Sequence, residues 1–326
     1  MVTVHKNWTV VTMISISVLF ISLFTGINKA GINDIWLAIT NPDEKYEMIR
    51  KIFFEIRLPR ILLAFIVGGV LSVSGAAMQA VFRNPMVDPY IMGISSGAAF
   101  GAALAIVLPF KNVQLSAFLF GLSAVALSYL MAKSNNKINT VTLILAGIIV
   151  NGVFTAFLTI LQIWSDPFKL QSIVHWIMGS FQNAEIRDIY TILLPCIAGL
   201  IVIFLNGWKL DILALGDEEA ATVGLKVTRT KSMIIVAASL ASSAVVSVSG
   251  VIGLYGLVIP HFVRMIFGVN NRHTLIINFA IGGSFLLLID DIVRNLGGYE
   301  IPVGVLTMLI SSPIFILLIK KYNTGW

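Results

Sequence analysis

Nine stretches of this chain run for 16 to 32 residues without one Asp, Glu, Lys or Arg. They are Trp8–Asn28, Ile61–Phe82, Pro89–Phe110, Asn112–Ala132, Ile138–Ser165, Ile189–Trp208, Ser232–Val263, Thr274–Ile289 and Ile301–Ile319. A bilayer core about 30 Å thick takes about 20 apolar residues in a helix. Ser232–Val263 is too long for one crossing, and Ser249-Gly250 and Gly253 divide it into two. The count is then ten spans, with the fifth long enough to tilt or to run into a surface segment. None of the stretches alternates apolar and polar residues as a barrel strand would. Composition agrees: 57% of the 326 residues are hydrophobic and 12% are charged, against about 45–50% and about 25% in soluble domains. The expected fold is all-α and polytopic, in one transmembrane domain over residues 1–326. A soluble enzyme, a disordered chain and a coiled coil are excluded.

The first stretch reads as a retained helix, because its apolar part is too long for a signal peptide and no small-x-small cleavage site follows. Ten spans put both termini on one side. With both inside, 12 of the 22 Lys and Arg lie inside and 10 outside. Six of those ten, Lys29, Lys45, Arg50, Lys51, Arg57 and Arg60, crowd the first outer loop, residues 29–60. The positive-inside rule therefore decides nothing unless that loop has its own reason to be basic. The net charge of +6 reads as charge in membrane-flanking loops, with no nucleic-acid partner.

Small residues recur every fourth position at Gly68/Ser72/Ala76/Ala80, Gly93/Gly97/Gly101/Ala105 and Ser239/Ser243/Ser247. Lipid tails give helices no hydrophobic reason to associate, so such stripes mark close helix contacts. Asn84-Pro85 and Asp88-Pro89 force non-helical backbone after the second span, since a residue before proline is pushed out of the α region.

Ionisable groups at membrane depth are functional candidates. Asp290, Asp291 and Arg294 end the ninth span, where an interfacial ion-pair cluster is one reading. Arg57 and Arg60 flank Leu58-Pro59 at the start of the second, where cations disfavour a helix N-terminus and point to an anionic partner. Residues 216–224, GDEEAATVG, form a short polar helix with acids at its start. Ala220 and Ala221 give it a small-residue face that a partner can approach; a solvated loop helix is the other reading. The four histidines are scattered without HExxH, no GxxxxGK[ST] occurs, and no nucleophile motif stands out. Cys196 lies alone in an apolar run, which excludes a disulfide framework.

Taken together, several segments resemble the permease family of type II ABC importers for iron–siderophore, haem and cobalamin. They are Arg57-Leu58-Pro59-Arg60, Gly75-Ala76-Ala77-Met78-Gln79, Arg83-Asn84-Pro85-Met86-Val87-Asp88-Pro89, Gly93-Ile94-Ser95-Ser96-Gly97-Ala98, Leu145-Ala146-Gly147, Trp176-Ile177-Met178-Gly179-Ser180, Gly256-Leu257-Val258-Ile259-Pro260-His261, Asp290 with Arg294, and Glu300-Ile301-Pro302-Val303-Gly304. Each is weak alone; their order over residues 57–318 is specific.

The resemblance implies a ten-helix permease subunit in a prokaryotic cell membrane, with both termini cytoplasmic. It implies a second permease subunit, identical or homologous, two cytoplasmic ATPase subunits that bind ATP and Mg, and an external substrate-binding protein. The chain itself would hold no cofactor and catalyse nothing. Arg57, Arg60 and Arg294 match positions that meet glutamates of the binding protein. Gly216, Asp217, Glu219, Ala220, Ala221 and Gly224, within the inner loop 209–231, match the coupling loop that seats in an ATPase. The pathway would lie between the two permease copies, along the fifth and tenth spans, with Asn84, Met86 and Thr140 as inner-gate candidates. The cargo would be an iron chelate, haem or cobalamin. The competing reading is a secondary transporter without an ATPase; it usually places a carboxylate or broken helix at mid-membrane, whereas the acids here sit at the ends of spans. An intramembrane enzyme would lack its catalytic set.

Overall fold

A computed structural model describes residues 2–25, 36–37, 40, 43–108, 112–134, 137–296 and 301–321. Most of the outer-loop segment 26–42 and residue Glu300 of the last motif lie outside the described residues. Among the described residues thirteen helices carry the fold: α1 Val2–Phe24, α2 Glu47–Phe82, α3 Ile94–Val107, α4 Val113–Ala132, α5 Thr140–Trp164, α6 Pro167–Ile177, α7 Ile186–Leu205, α8 Gly207–Leu215, α9 Asp217–Thr222, α10 Val227–Ser249, α11 Tyr255–Phe267, α12 Asn271–Asn295 and α13 Val303–Lys321. Six of them (α2, α4, α5, α7, α10 and α12) are long and apolar enough to cross a bilayer, and the apolar parts of α1, α3, α11 and α13 are shorter. These ten coincide with the ten expected spans. Two-residue strands, Lys133–Ser134 and Lys137–Ile138, pair antiparallel between α4 and α5.

Helix α2 runs through the centre and is buried along most of its length from Arg57 onward. Its residues Ile52–Arg57 are wound as a π-helix. Pro59 has no N–H, and its ring crowds the carbonyl four residues back; a widened turn just before it relieves both conflicts. Against α2 pack α10, α11 and α12. The small-residue stripes are the contact surfaces. A Cβ on Gly68 would strike the Gly282 carbonyl of α12. Cβ atoms on Gly97 and Gly101 would lie 2.5 Å from the Phe120 and Ser116 carbonyls of α4. Gly93 is the exception to its stripe: it stands before α3 with φ +86°, after a 3-10 turn at Pro89–Met92. Helix α1 lies on α12, where Ser284 Oγ and Ser15 Oγ are 3.0 Å apart.

The long seventh stretch breaks where glycine predicted. α10 stops at Ser249, Gly250 takes φ +68°, and α11 begins after Leu254 at φ +62°. The fifth stretch is filled by one 25-residue helix, α5, and a separate helix, α6, follows beyond Ser165. Asp166 caps that helix by accepting the Phe168 and Lys169 N–H groups at 3.1 and 3.0 Å, which holds its carboxyl below the usual range.

Candidate functional site

Three clusters carry chemistry, one at one end of the helix bundle and two at the opposite end; they are called outer and inner after the orientation expected from the sequence. In the outer cluster, Pro59 and the π-turn bring Arg57 and Arg60 beside the last turns of α12. Arg60 makes a bidentate pair with Asp290, its Nε 3.0 and 3.1 Å from the two carboxylate oxygens and its Nη2 2.9 Å from Oδ1. Arg294 reaches the same carboxylate at 3.2 Å and also pairs with Asp291. Ser22 of α1 donates to Asp291 and accepts from Arg294, both at 2.7 Å. Arg57 donates to the Leu23 carbonyl at 3.2 Å. The ion-pair reading of Asp290, Asp291 and Arg294 is thus what the structure holds, and it extends to Arg60. The three arginines do meet, but they do not stand out as exposed charges: Arg57, Arg60 and Arg294 are only 6, 5 and 7% exposed. The physical reason is that Asp290, at 0% exposure, is tolerable at this depth only when paired.

The first inner cluster is the turn after α2. Arg83 closes that helix at φ +51°, and the Arg83 and Asn84 N–H groups bond back to Ala80 and Gln79 carbonyls at 3.3 and 3.1 Å. This is the Schellman pattern, with arginine where glycine is usual. Asn84 Oδ1 accepts the Met86 N–H at 2.9 Å, and Met86 is 49% exposed. Asp88 accepts the Tyr90 N–H at 2.8 Å. Burial pushes the Asp88 carboxyl up to about 6, against the pull of that hydrogen bond. Thr140, half-buried, begins α5, and Asn139 caps it by accepting the Val141 and Thr142 N–H groups. Asn84 and Met86 therefore share one turn, while Thr140 stands on a separate helix. Two turns further along α5, Gly147 packs on the Ile91 carbonyl.

The second inner cluster is α9 and its flanks. Gly216 enters at φ +152° and Gly224 leaves at φ +80°, both conformations that a Cβ disfavours. Leu225 N–H bonds to the Ala220 carbonyl at 3.0 Å and Gly224 N–H to that of Ala221 at 2.9 Å, a complete Schellman motif. Asp217, Glu218 and Glu219 occupy the first turn, where the helix dipole favours them. Here the structure corrects the two-alanine face. Ala220 is 0% exposed and packs in the chain's own core with Leu210, Leu213 and Ile234. Ala221, Val223 and Gly224 face outward. Adjacent helix positions point about 100° apart, and here the core takes Ala220 while Ala221 stays on the open side.

Sequence reasoning missed two residues. Lys231 of α10, 3% exposed, reaches Asp217 at 2.7 Å and ties α9 to α10. Gln79 of α2 sits between the inner turn and α11. Lys231 was hidden in a run of loop cations, and Gln79 was visible only as part of a motif. A cavity of about 390 Å³ opens among Gln79, Arg83, Asn84, Leu215, Arg264 and Asn271, and so joins the two inner clusters. Cys196 is buried and unpaired, with its thiol donating to the Ala241 carbonyl at 3.9 Å.

Comparison with known proteins places this architecture. The model of the FecCD transport family matches residues 13–321. A molybdate import system permease protein from Haemophilus influenzae is 38% identical over 279 residues, covering 85% of this chain and 83% of that one. A hemin transport system permease protein from Yersinia pestis is 38% identical over 301 residues, covering 88% and 87%. A solved inward-facing ABC transporter described as of the metal-chelate type superposes with a TM-score of 0.87 at 35% identity, covering 97% of this chain and 99% of that one. A chain with ten apolar helices, a buried outer ion cluster and a short capped inner helix is therefore a multi-pass membrane permease of the ABC importer type, and it belongs to the FecCD transport family.

Proposed function

We propose that the chain translocates a metal chelate, received from an external binding protein, by coupling to two cytoplasmic ATPase subunits that bind ATP and Mg. The observation that carries this reading is α9. A six-residue helix capped by two special glycines and anchored to α10 by Lys231 is a rigid knob. Its exposed face carries Glu218, Glu219, Ala221 and Thr222, and the flanking Leu215 and Val223, 71 and 67% exposed, add the apolar surface that a partner cleft would bury. A push on it moves α10 as a body, so a partner that closes on ATP biases the helix arrangement by its differential affinity. This assignment uses Gly216, Asp217, Glu219, Ala221 and Gly224, with Ala220 as the internal root.

The pathway runs along α5, between this chain and a second permease subunit. Asn151, Thr155 and Thr159 form an exposed stripe at a spacing of four on that helix, with Gly152 and Ala156 beside it. A polar stripe facing lipid is costly, whereas one facing a water-filled passage is not. Asn84, Met86 and Thr140 close it on the inner side, and both termini are cytoplasmic. At the outer end, Arg57, Arg60 and Arg294 against Asp290 and Asp291 leave a formal charge of +1, which favours an acidic binding protein. Because these groups are buried, docking acids must exchange with Asp290 and Asp291 rather than meet exposed arginines.

The cargo of the relatives spans hemin and molybdate, so the discriminating experiment is uptake. The chain, its ATPase and its binding protein are reconstituted in proteoliposomes and offered ferric siderophores, haem, cobalamin and molybdate in turn. ATP- and ATPase-dependent uptake of a ferric siderophore, haem or cobalamin confirms the reading, and uptake of molybdate alone overturns the chelate as cargo. Uptake that persists without the ATPase subunit overturns it in favour of a secondary transporter.

A further inference from the structure

Gln79 lies in the last turns of α2 and is 4% exposed. Its side-chain amide meets three groups from two other parts of the fold. The Nε2 donates to the Val87 carbonyl in the inner turn and to the Leu257 carbonyl in α11, each at 3.2 Å. The Oε1 accepts from the Arg264 guanidinium, two turns further along α11. Its backbone carbonyl meanwhile accepts the Asn84 N–H that closes α2. One residue therefore bonds both ends of the turn carrying Asn84 and Met86, and it bonds α11 twice.

Apolar packing alone would let that turn slide on α11. An amide with both donor hydrogens and its acceptor engaged does not slide without leaving buried polar groups unpaired. One further contact fits a rigid joint: a Cβ on Gly256 of α11 would lie 2.5 Å from Pro89 Cδ.

We infer that Gln79 is a positioning residue that makes the inner-gate turn and α11 move as one unit, so that a displacement of α11 reaches the gate. The inference rests on the reading of Asn84 and Met86 as gate residues. The test uses the complete transporter in proteoliposomes, with Cys196→Ala to remove the native thiol and Met86→Cys as a reporter. Labelling by a charged maleimide from the cytoplasmic side is measured with and without ATP and vanadate.

With Gln79 intact, labelling changes severalfold between the two conditions. In Gln79→Met, which keeps length and removes all three bonds, the ratio falls to unity and uptake per ATP hydrolysed drops. Gln79→Glu keeps the acceptor for Arg264 and loses the donations, and serves if the Met variant fails to fold; it lowers the ratio partway. An unchanged ratio in a folded Gln79 variant overturns the inference. If the reporter does not respond with Gln79 intact, the gate reading falls, and amide hydrogen exchange then decides the joint. Faster exchange at residues 84–92 and 257–264 together in the Gln79 variant upholds it, and unchanged exchange at both overturns it.

Discussion

Replacing Asp290 by Asn tests the outer cluster most sharply. The carboxylate is fully buried and receives three hydrogen bonds from Arg60 at 2.9–3.1 Å and one ion pair from Arg294 at 3.2 Å. Asparagine keeps the shape and one acceptor oxygen but carries no charge, so two guanidinium groups only 5 and 7% exposed lose their shared anion. Removing one partner of a buried pair costs about 3–5 kcal/mol, mostly as the desolvation of the charge left behind. Asp291 still serves Arg294, so the lower half of that range, about 3 kcal/mol, is expected. The assay is reversible unfolding in mixed micelles, with Arg60→Met, Asp290→Leu and the double variant completing a double-mutant cycle. The double variant is expected within about 1 kcal/mol of the native chain, since an apolar pair of similar volume replaces a buried ion pair at little cost. A loss under about 1 kcal/mol in Asp290→Asn, or a coupling energy near zero, refutes the reasoning.

Other outcomes follow from the inner face. Ala220→Trp overpacks the core and lowers stability by about 1–3 kcal/mol, while Ala221→Trp leaves stability unchanged and separates ATP hydrolysis from uptake; the reverse pattern would sink the assignment. Gly224→Ala meets no atom within 4 Å, so its cost of about 1–2 kcal/mol is purely that of the left-handed backbone, and thermal denaturation with uptake per ATP reads it. Lys231→Met frees α9 from α10 and lowers coupling more than stability, because Asp217 is half-exposed and the pair is screened. Asp88 binds its proton more tightly in the folded chain than unfolded, so stability falls as pH rises from about 4 to about 6; Asp88→Asn removes that slope, and denaturation at several pH values shows it.

What could be read without coordinates is what depends on local chemistry. Ten spans were countable because a bilayer demands about 20 uncharged residues at a time, and the Gly250 break because only a residue tolerant of positive φ fits there. The acidic start of residues 216–224 announced a short helix, whose glycine caps only the backbone angles revealed. Helices α6 and α8 were not separated, since each follows a span after a brief break and shares its apolar character.

Amino-acid order by itself thus determined the class of fold, the number of crossings and the family pattern of the motifs. Tertiary structure alone decided which groups meet. Arg60 finds Asp290 at a sequence separation of 230 and Gln79 finds Leu257 at 178, and no local spacing encodes such pairs. The orientation of Ala220 against Ala221 was decided in the same way, by which side of a six-residue helix the core happened to occupy. Charge and helix period are properties of a short window, whereas burial is a property of everything packed around it.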